Sequence, residues 1–224
     1  MRTVRTGRAG LVALIVAPVM LLGVVMAPAD AATVYRRDVY FRSGYERQVD
    51  SRTCVPASVA MMLNFIAGRD LGLSQMGILR YAQPRDALND GVQRGTDPLG
   101  WAKSLTYFST RAGKGAFTYN WEAYGSEGWA LKRAARQIAF TNKPVGLLVQ
   151  NGTHAMVMTG FEATADPRRG DFRVLYVWVS DPLGNRHQRY AAADSPLNRY
   201  LETDATAYYD SKWYRNYVIV APAG

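Results

Sequence analysis

Cys54 is the only cysteine in this 224-residue chain, and it stands directly before an apolar stretch that is typical of a helix. The dipole of a helix favours a thiolate at its N-terminus. A thiolate acts as a nucleophile when it has a base, a group that orients the base, and donors for the developing oxyanion. His154, Asp181 and Gln48 are residue types that can supply these functions. We therefore predict attack on a carbonyl group by Cys54.

The helix that carries Cys54 is predicted to run from about residue 55 to residue 66. Pro56 suits its first turn, and Gly68 follows its end. Apolar residues recur at the spacing of one helix face, at Val59, Met62, Leu63 and Ile66. Three more helices are predicted over residues 74–81, over residues 97–108, and after a cap at Ser126.

The second half of the chain changes to the pattern of strands. We predict strands over residues 145–150, 154–161, 172–180 and 214–220, besides a short extended segment over residues 34–41. Asn151-Gly152 is typical of a two-residue hairpin turn. Helices followed by strands favour the α+β class, with a helical N-terminal half and an antiparallel sheet in the C-terminal half.

The predicted strands bring the base and its orienting group together. We expect residues 154–161 and 172–180 to pair antiparallel, with Glu162 opposite Arg173. The same register places His154 opposite Asp181. Residues that lie directly opposite have Cβ atoms roughly 4.5 to 5.5 Å apart, so an imidazole and a carboxylate there can form a hydrogen bond.

Residues 1–31 are predicted to be a signal peptide. The chain begins with a positively charged segment that contains Arg2, Arg5 and Arg8. Residues 11–26 are almost wholly apolar, and residues 29–31 fit a cleavage site. The apolar run contains Pro18 and is shorter than the roughly 20 residues of a membrane-spanning helix. We therefore predict a secreted protein, extracellular or cell-wall associated, with no stable membrane span after cleavage. Residues 32–224 are predicted to form a single domain.

The basic charge of the chain bears on its partners. The formal net charge is +9, and it falls to +7 once the three arginines and one aspartate of residues 1–31 are removed. A basic exported domain is attracted to anionic surfaces, so anionic cell-surface polymers are candidate partners. The clearest basic clusters are Arg168-Arg169 and the set Lys132, Arg133 and Arg136. No nucleic-acid-binding motif is found, and we expect no nucleic acid partner.

The four candidate residues resemble those of papain-like cysteine peptidases in type, order and local context. Gln48 lies six positions before Cys54, His154 begins a predicted strand, and Asp181 stands in a later Asp-Pro pair. The likeness covers roughly residues 45–185 and is to the group named for bacteriocin-processing (double-glycine leader) peptidases and their exported relatives.

This resemblance implies a papain-like fold and, with the predicted signal peptide, a secreted cysteine peptidase that acts on peptide or protein substrates. We expect no cofactor and no metal. The resemblance also implies that Cys54 attacks, that His154 is base and then acid, that Asp181 orients His154, and that Gln48 serves the oxyanion hole. The family usually has Asp before and Gly after the cysteine, where this chain has Thr53 and Val55 in the corresponding places.

Two alternatives remain open at the level of the sequence. The same residues could support amidase or acyl transferase chemistry, and a papain-like relative could be a non-catalytic cell-surface or cell-wall binding module. His187 is the other histidine and a rival base, but its polar, turn-like surroundings predict a surface position. One cysteine and two histidines are too few for the usual ligand set of a structural zinc site, and no phosphate-binding loop is found.

Overall fold

The computed structural model describes residues 34–87, 95–184, 186–201 and 212–223. Its four helices are α1 (Cys54–Ala67), α2 (Gln75–Ala82), α3 (Pro98–Phe108) and α4 (Glu127–Thr141). Side-chain caps start three of them, because Ser74, Asp97 and Ser126 each accept a backbone N–H of the first turn. Gly68 ends α1 in the left-handed conformation, with φ at 68°. The predicted helices are confirmed.

The strands of the described residues form one antiparallel sheet. They are β1 (Tyr35–Asp38), β2 (Tyr119–Tyr124), β3 (Val145–Val149), β4 (His154–Ala163), β5 (Val174–Ser180), β6 (Gln188–Ala191) and β7 (Tyr217–Pro222). Their order is β2-β7-β3-β4-β5-β6, and β1 pairs with the second half of β4. The α+β prediction is confirmed. Strands β2 and β6 were not predicted, although β2 alternates apolar and polar residues from Tyr119 to Ala123.

Each face of the sheet carries its own apolar layer. Alternate strand residues such as Leu148 and Val157 pack with α1 and α3, whereas Leu147 and Met158 pack with α4. The contact with α3 is close: a Cβ at Gly146 would lie 2.4 Å from the Trp101 ring. The packing of α1 against the sheet fixes the start of α1 relative to β4, and this positions the candidate site.

The predicted register of β4 with β5 is wrong by two to three residues. Glu162 pairs with Tyr176 instead of Arg173, and nearer the site Val157 pairs with Ser180. The loop between the strands runs from residue 164 to residue 173. Two irregularities, between Met158 and Gly160 and between Glu162 and Ala163, change the register of the pairing along β4. Near the site the displacement is two residues. A displacement of two residues leaves each side chain on its predicted face of the sheet, because successive side chains of a strand point to alternate faces.

The turn between β3 and β4 also differs from the prediction. Val149 pairs with His154, so four residues connect the strands where a two-residue Asn151-Gly152 turn was expected. Asn151 has a φ of 61°, its N–H donates to Asn198 Oδ1, and its carbonyl accepts the Leu201 N–H. These contacts with a distant segment hold the longer loop, which makes His154 the first residue of β4.

The described helices are all too short or too polar to cross a membrane. The predicted signal peptide, residues 1–31, lies outside the described residues.

Candidate active site

Cys54 occupies the first position of α1. It is 9% exposed, and the carbonyl of the preceding Thr53 accepts the Ala57 N–H at 2.8 Å, which starts the hydrogen bonding of the helix. Backbone N–H groups in a first helical turn have no acceptor within the helix, and the positive end of the helix dipole lies there. The thiol therefore sits beside backbone donors that suit an anion.

The predicted pair of His154 and Asp181 is present. His154 Nε2 lies 2.8 Å from Asp181 Oδ1, and both side chains are buried. Asp181 comes one residue after β5 ends, so His154 reaches it diagonally across the two strands instead of from the directly opposite position. Asp181 Oδ1 also accepts the Leu183 N–H at 2.8 Å. This fixed carboxylate holds the imidazole in one orientation.

The imidazole of His154 also interacts with the Cys54 side chain. Because Nε2 is bonded to Asp181, Nδ1 is the ring nitrogen available to the sulfur. Burial alone would lower the pKa of His154, but its interactions with Asp181 and Cys54 outweigh burial and raise that pKa from 6.5 to about 9. The His154 bond and the Leu183 N–H outweigh burial at Asp181 and lower the pKa of its carboxyl. At neutral pH the pair is an imidazolium and a carboxylate.

The raised pKa of His154 predicts how stability depends on pH. The folded protein holds this proton more tightly than the unfolded chain, so the stabilisation is complete below about pH 6.5 and is lost as the pH rises through about 9. The rise in pKa corresponds to about 3 kcal/mol of unfolding free energy. Urea unfolding across this range should show the loss in the wild type and a flatter curve in His154→Gln. Parallel curves for the two proteins would contradict the assignment.

Gln48 lies in the segment that leads to Cys54, and its backbone N–H donates to the Pro182 carbonyl at 3.0 Å. Its side-chain Nε2 donates to the Asp50 carbonyl at 2.8 Å. The backbone of Gln48 is thus hydrogen-bonded to the segment that carries Asp181. One of its two side-chain N–H groups is hydrogen-bonded to the loop before Cys54. The second N–H is the donor that remains for an oxyanion, and this role stays a prediction.

Thr53 organises the loop between Gln48 and Cys54. Its Oγ1 accepts the N–H groups of Val49 and Asp50, both at 3.0 Å, and donates to the Asp50 carbonyl at the same distance. Thr53 and Val55 are both buried. The two departures from the usual family residues therefore affect how the loop and helix are built and do not change the exposed surface beside the thiol.

Tyr45 is a residue at the site that the sequence did not reveal. Its hydroxyl donates to the Asp181 carbonyl at 2.9 Å, and the Arg186 guanidinium lies 5.4 Å from its ring centre. Burial first, and then the charge of Asp181, raise the pKa of Tyr45. Together with the Gln48 N–H, this hydroxyl joins the segment before Cys54 to the turn that holds Asp181. No local pattern marks a single tyrosine for such a contact.

His187 does not lie on the open surface as predicted. Its ring stacks on Tyr40 with centres 4.1 Å apart, and its Nε2 lies 3.0 Å from Asp38 Oδ2. The pKa of Asp38 is lowered because its interactions with His187 and the Tyr40 N–H outweigh burial. The prediction failed because β6, which follows His187, was not recognised as part of the sheet. His187 is engaged with β1 and the residues after it, whereas His154 contacts the thiol.

Comparison with known proteins identifies the family of the chain. Residues 42–208 match the Peptidase_C39 like family, and these bounds include all four candidate residues. No curated protein matches the chain. Among the described residues no group of three or more histidine, cysteine, aspartate or glutamate side chains is arranged to hold a metal ion. The fold is that of a papain-like cysteine peptidase, and the chain belongs to the Peptidase_C39 like family.

Proposed function

We propose that this protein is a secreted cysteine peptidase that hydrolyses peptide bonds, or related amides, through a thiol acyl-enzyme. The observation that carries the proposal is the position of His154, which is hydrogen-bonded to Asp181 and interacts with the Cys54 side chain. Nucleophile, base and orienting group thus form one continuous chain of contacts. Membership of the Peptidase_C39 like family supports the same chemistry.

The contacts suggest how each group takes part in acylation. The Cys54 thiolate attacks the carbonyl carbon, and a tetrahedral intermediate with a negative oxygen forms. The Cys54 N–H and the second Nε2–H of Gln48 stabilise this oxygen. His154 gives its proton to the leaving nitrogen as the C–N bond breaks, and an acyl thioester remains on Cys54. Asp181 stabilises the imidazolium and keeps its ring in place.

Water completes the cycle in the second half of the reaction. His154 is neutral after acylation and takes a proton from a water molecule, which attacks the thioester carbonyl. The C–S bond then breaks, the carboxylic acid product leaves, and the thiolate and imidazolium are restored. An amine in place of water would give acyl transfer from the same intermediate.

Alkylation of the thiol tests this proposal directly. Iodoacetamide should label Cys54 in the folded protein at neutral and mildly acidic pH, because the proposed mechanism requires the thiolate and the thiolate is the form that is alkylated. Mass spectrometry locates the label and gives its rate. In His154→Gln the labelling should slow by about tenfold or more at pH 6, since the imidazolium partner is gone. Labelling of the wild type only after unfolding would favour the non-catalytic binding module.

Tyr45→Phe tests the link between the two segments of the site. The change removes one hydrogen bond to the Asp181 carbonyl, so we expect unfolding free energy to fall by about 1 kcal/mol. Because Asp181 is then held less firmly, kcat should fall by about tenfold with little change in KM. Tyr107→Phe, on an exposed ring of α3, is the matched control. A loss of stability without a loss of kcat would leave Tyr45 with a structural role alone.

A further inference from the structure

The outer face of α4 carries a stripe of aromatic and basic side chains. Its members are spaced by three or four residues, so they are neighbours along one side of the helix: Trp129, Lys132, Arg133, Arg136 and Phe140. The opposite side of α4 is buried against the sheet. Trp129 is 66% exposed and Phe140 is 61% exposed, which is unusual for rings of this size.

The stripe forms one wall of a groove, here called the α4 groove, and the loop over residues 166–171 forms the other wall. Arg136 fastens this loop, because its guanidinium donates to the carbonyls of Pro167 and Gly170 at 3.2 and 3.1 Å. The groove encloses about 560 Å³. A second cavity of about 770 Å³ continues beyond the Lys132–Asp171 ion pair, and Trp129 borders both cavities.

The charge of the α4 groove favours an anionic ligand. Among its described lining residues four are cations, Lys132, Arg133, Arg136 and Arg168, and one is a carboxylate, Asp171. Within the described residues Arg136 donates to carbonyls and forms no ion pair, so its guanidinium is the cation of the groove that is not directly paired. The other three cations are paired: Lys132 with Asp171, Arg168 with Asp166, and Arg133 with Glu122. The Lys132–Asp171 pair is exposed, so it contributes little and a ligand can replace it.

The spacing of the two rings favours an extended ligand made of rings. Phe140 follows Trp129 by eleven positions, which is about 16 Å along a helix. A single ion or a single sugar cannot reach both rings, but a linear chain of linked sugars can. The faces of sugar rings carry C–H groups that stack on aromatic side chains, and carboxylates on the same chain match guanidinium groups.

A lipid surface fits the α4 groove less well. A helix that inserts into the surface of a membrane presents a continuous apolar face, and the apolar face of α4 is buried in the protein. Three charged residues separate the exposed rings on the other face. We infer that the α4 groove binds an acidic polysaccharide chain, on the side of the sheet opposite α1 and apart from the thiol site.

Titration with polygalacturonate tests this inference, and highly methyl-esterified pectin serves as the neutral ligand of the same backbone. Calorimetry should detect binding of the acidic chain alone, and binding should weaken as salt increases. Trp129→Ala and Arg136→Ala should each weaken it by about tenfold. Trp129 is exposed, so its replacement keeps the fold even if loss of Arg136 loosens the loop. Tyr107→Ala and Arg80→Ala, on other exposed helix surfaces, are the matched controls and should bind as the wild type does.

Three outcomes would overturn the inference. These are equal binding of the esterified chain, unchanged affinity in the Trp129 variant, and binding of phosphatidylglycerol vesicles that depends on the same residues while polygalacturonate does not bind. The inference does not depend on the peptidase proposal. Cys54→Ala should bind polygalacturonate normally, so a failed catalytic test leaves this one unaffected.

Discussion

Replacing Cys54 with alanine is expected to lower hydrolysis of peptide substrates by about 10⁵-fold or more, because no acyl-enzyme can form without the sulfur. The side chain is small and α1 starts at the backbone of Thr53, so the unfolding free energy should change by about 1 kcal/mol or less. Turnover is measured with a library of fluorogenic peptides, and stability is measured by urea unfolding.

The variant Ser58→Ala provides a matched control for Cys54→Ala. Ser58 is buried in α1, four residues after Cys54, so the change also removes a small polar group from the same helix. Its turnover should remain close to that of the wild type. If Cys54→Ala kept more than about a tenth of the wild-type rate with its fold intact, the acyl-enzyme mechanism would be excluded.

His154→Gln is expected to lower turnover by about 10⁴-fold or more, since glutamine cannot accept a proton from the thiol or return one to the leaving nitrogen. Glutamine is a better test than alanine here. Its amide can still donate to the buried Asp181 carboxylate, whereas alanine would leave that charge without its partner. The rate of acylation in a single turnover distinguishes lost chemistry from lost binding.

His187→Gln is the matched control because it replaces the other histidine of the chain in the same way. His187 contacts Asp38 and Tyr40 and has no contact with the thiol among the described residues, so its variant should retain most of the activity. The reverse result, with near-normal turnover in His154→Gln and a large loss in His187→Gln, would assign the base to His187.

The helices follow closely from local sequence. Ser74, Asp97 and Ser126 are residue types that satisfy the unpaired donors of a first turn, and Gly68 adopts the left-handed conformation that ends α1. These interactions act within a few residues, so the sequence alone predicts them. Strand β2 was missed because its short alternating pattern lies between two helices and gains its stability from pairing with β7.

The types of the candidate residues and their order were also evident in the sequence. Cys54 before a helix, His154 opening a strand and Asp181 ending one indicated which groups come together, and the structure joins all three. The prediction tolerated an error of two residues in the register, because His154 and Asp181 remained on the same face of the sheet. A register error of one residue would have placed the two side chains on opposite faces of the sheet.

The tertiary structure alone decided how the site is held together. The Tyr45 hydroxyl reaches Asp181 across 136 positions of sequence, the Gln48 N–H reaches Pro182, and Asn198 fixes the loop before His154. Such contacts depend on loop lengths and on the packing of helices against a sheet, and no local propensity specifies them. The sequence by itself therefore determined which side chains could carry the chemistry, while the long-range packing determined their distances, burial and charge states.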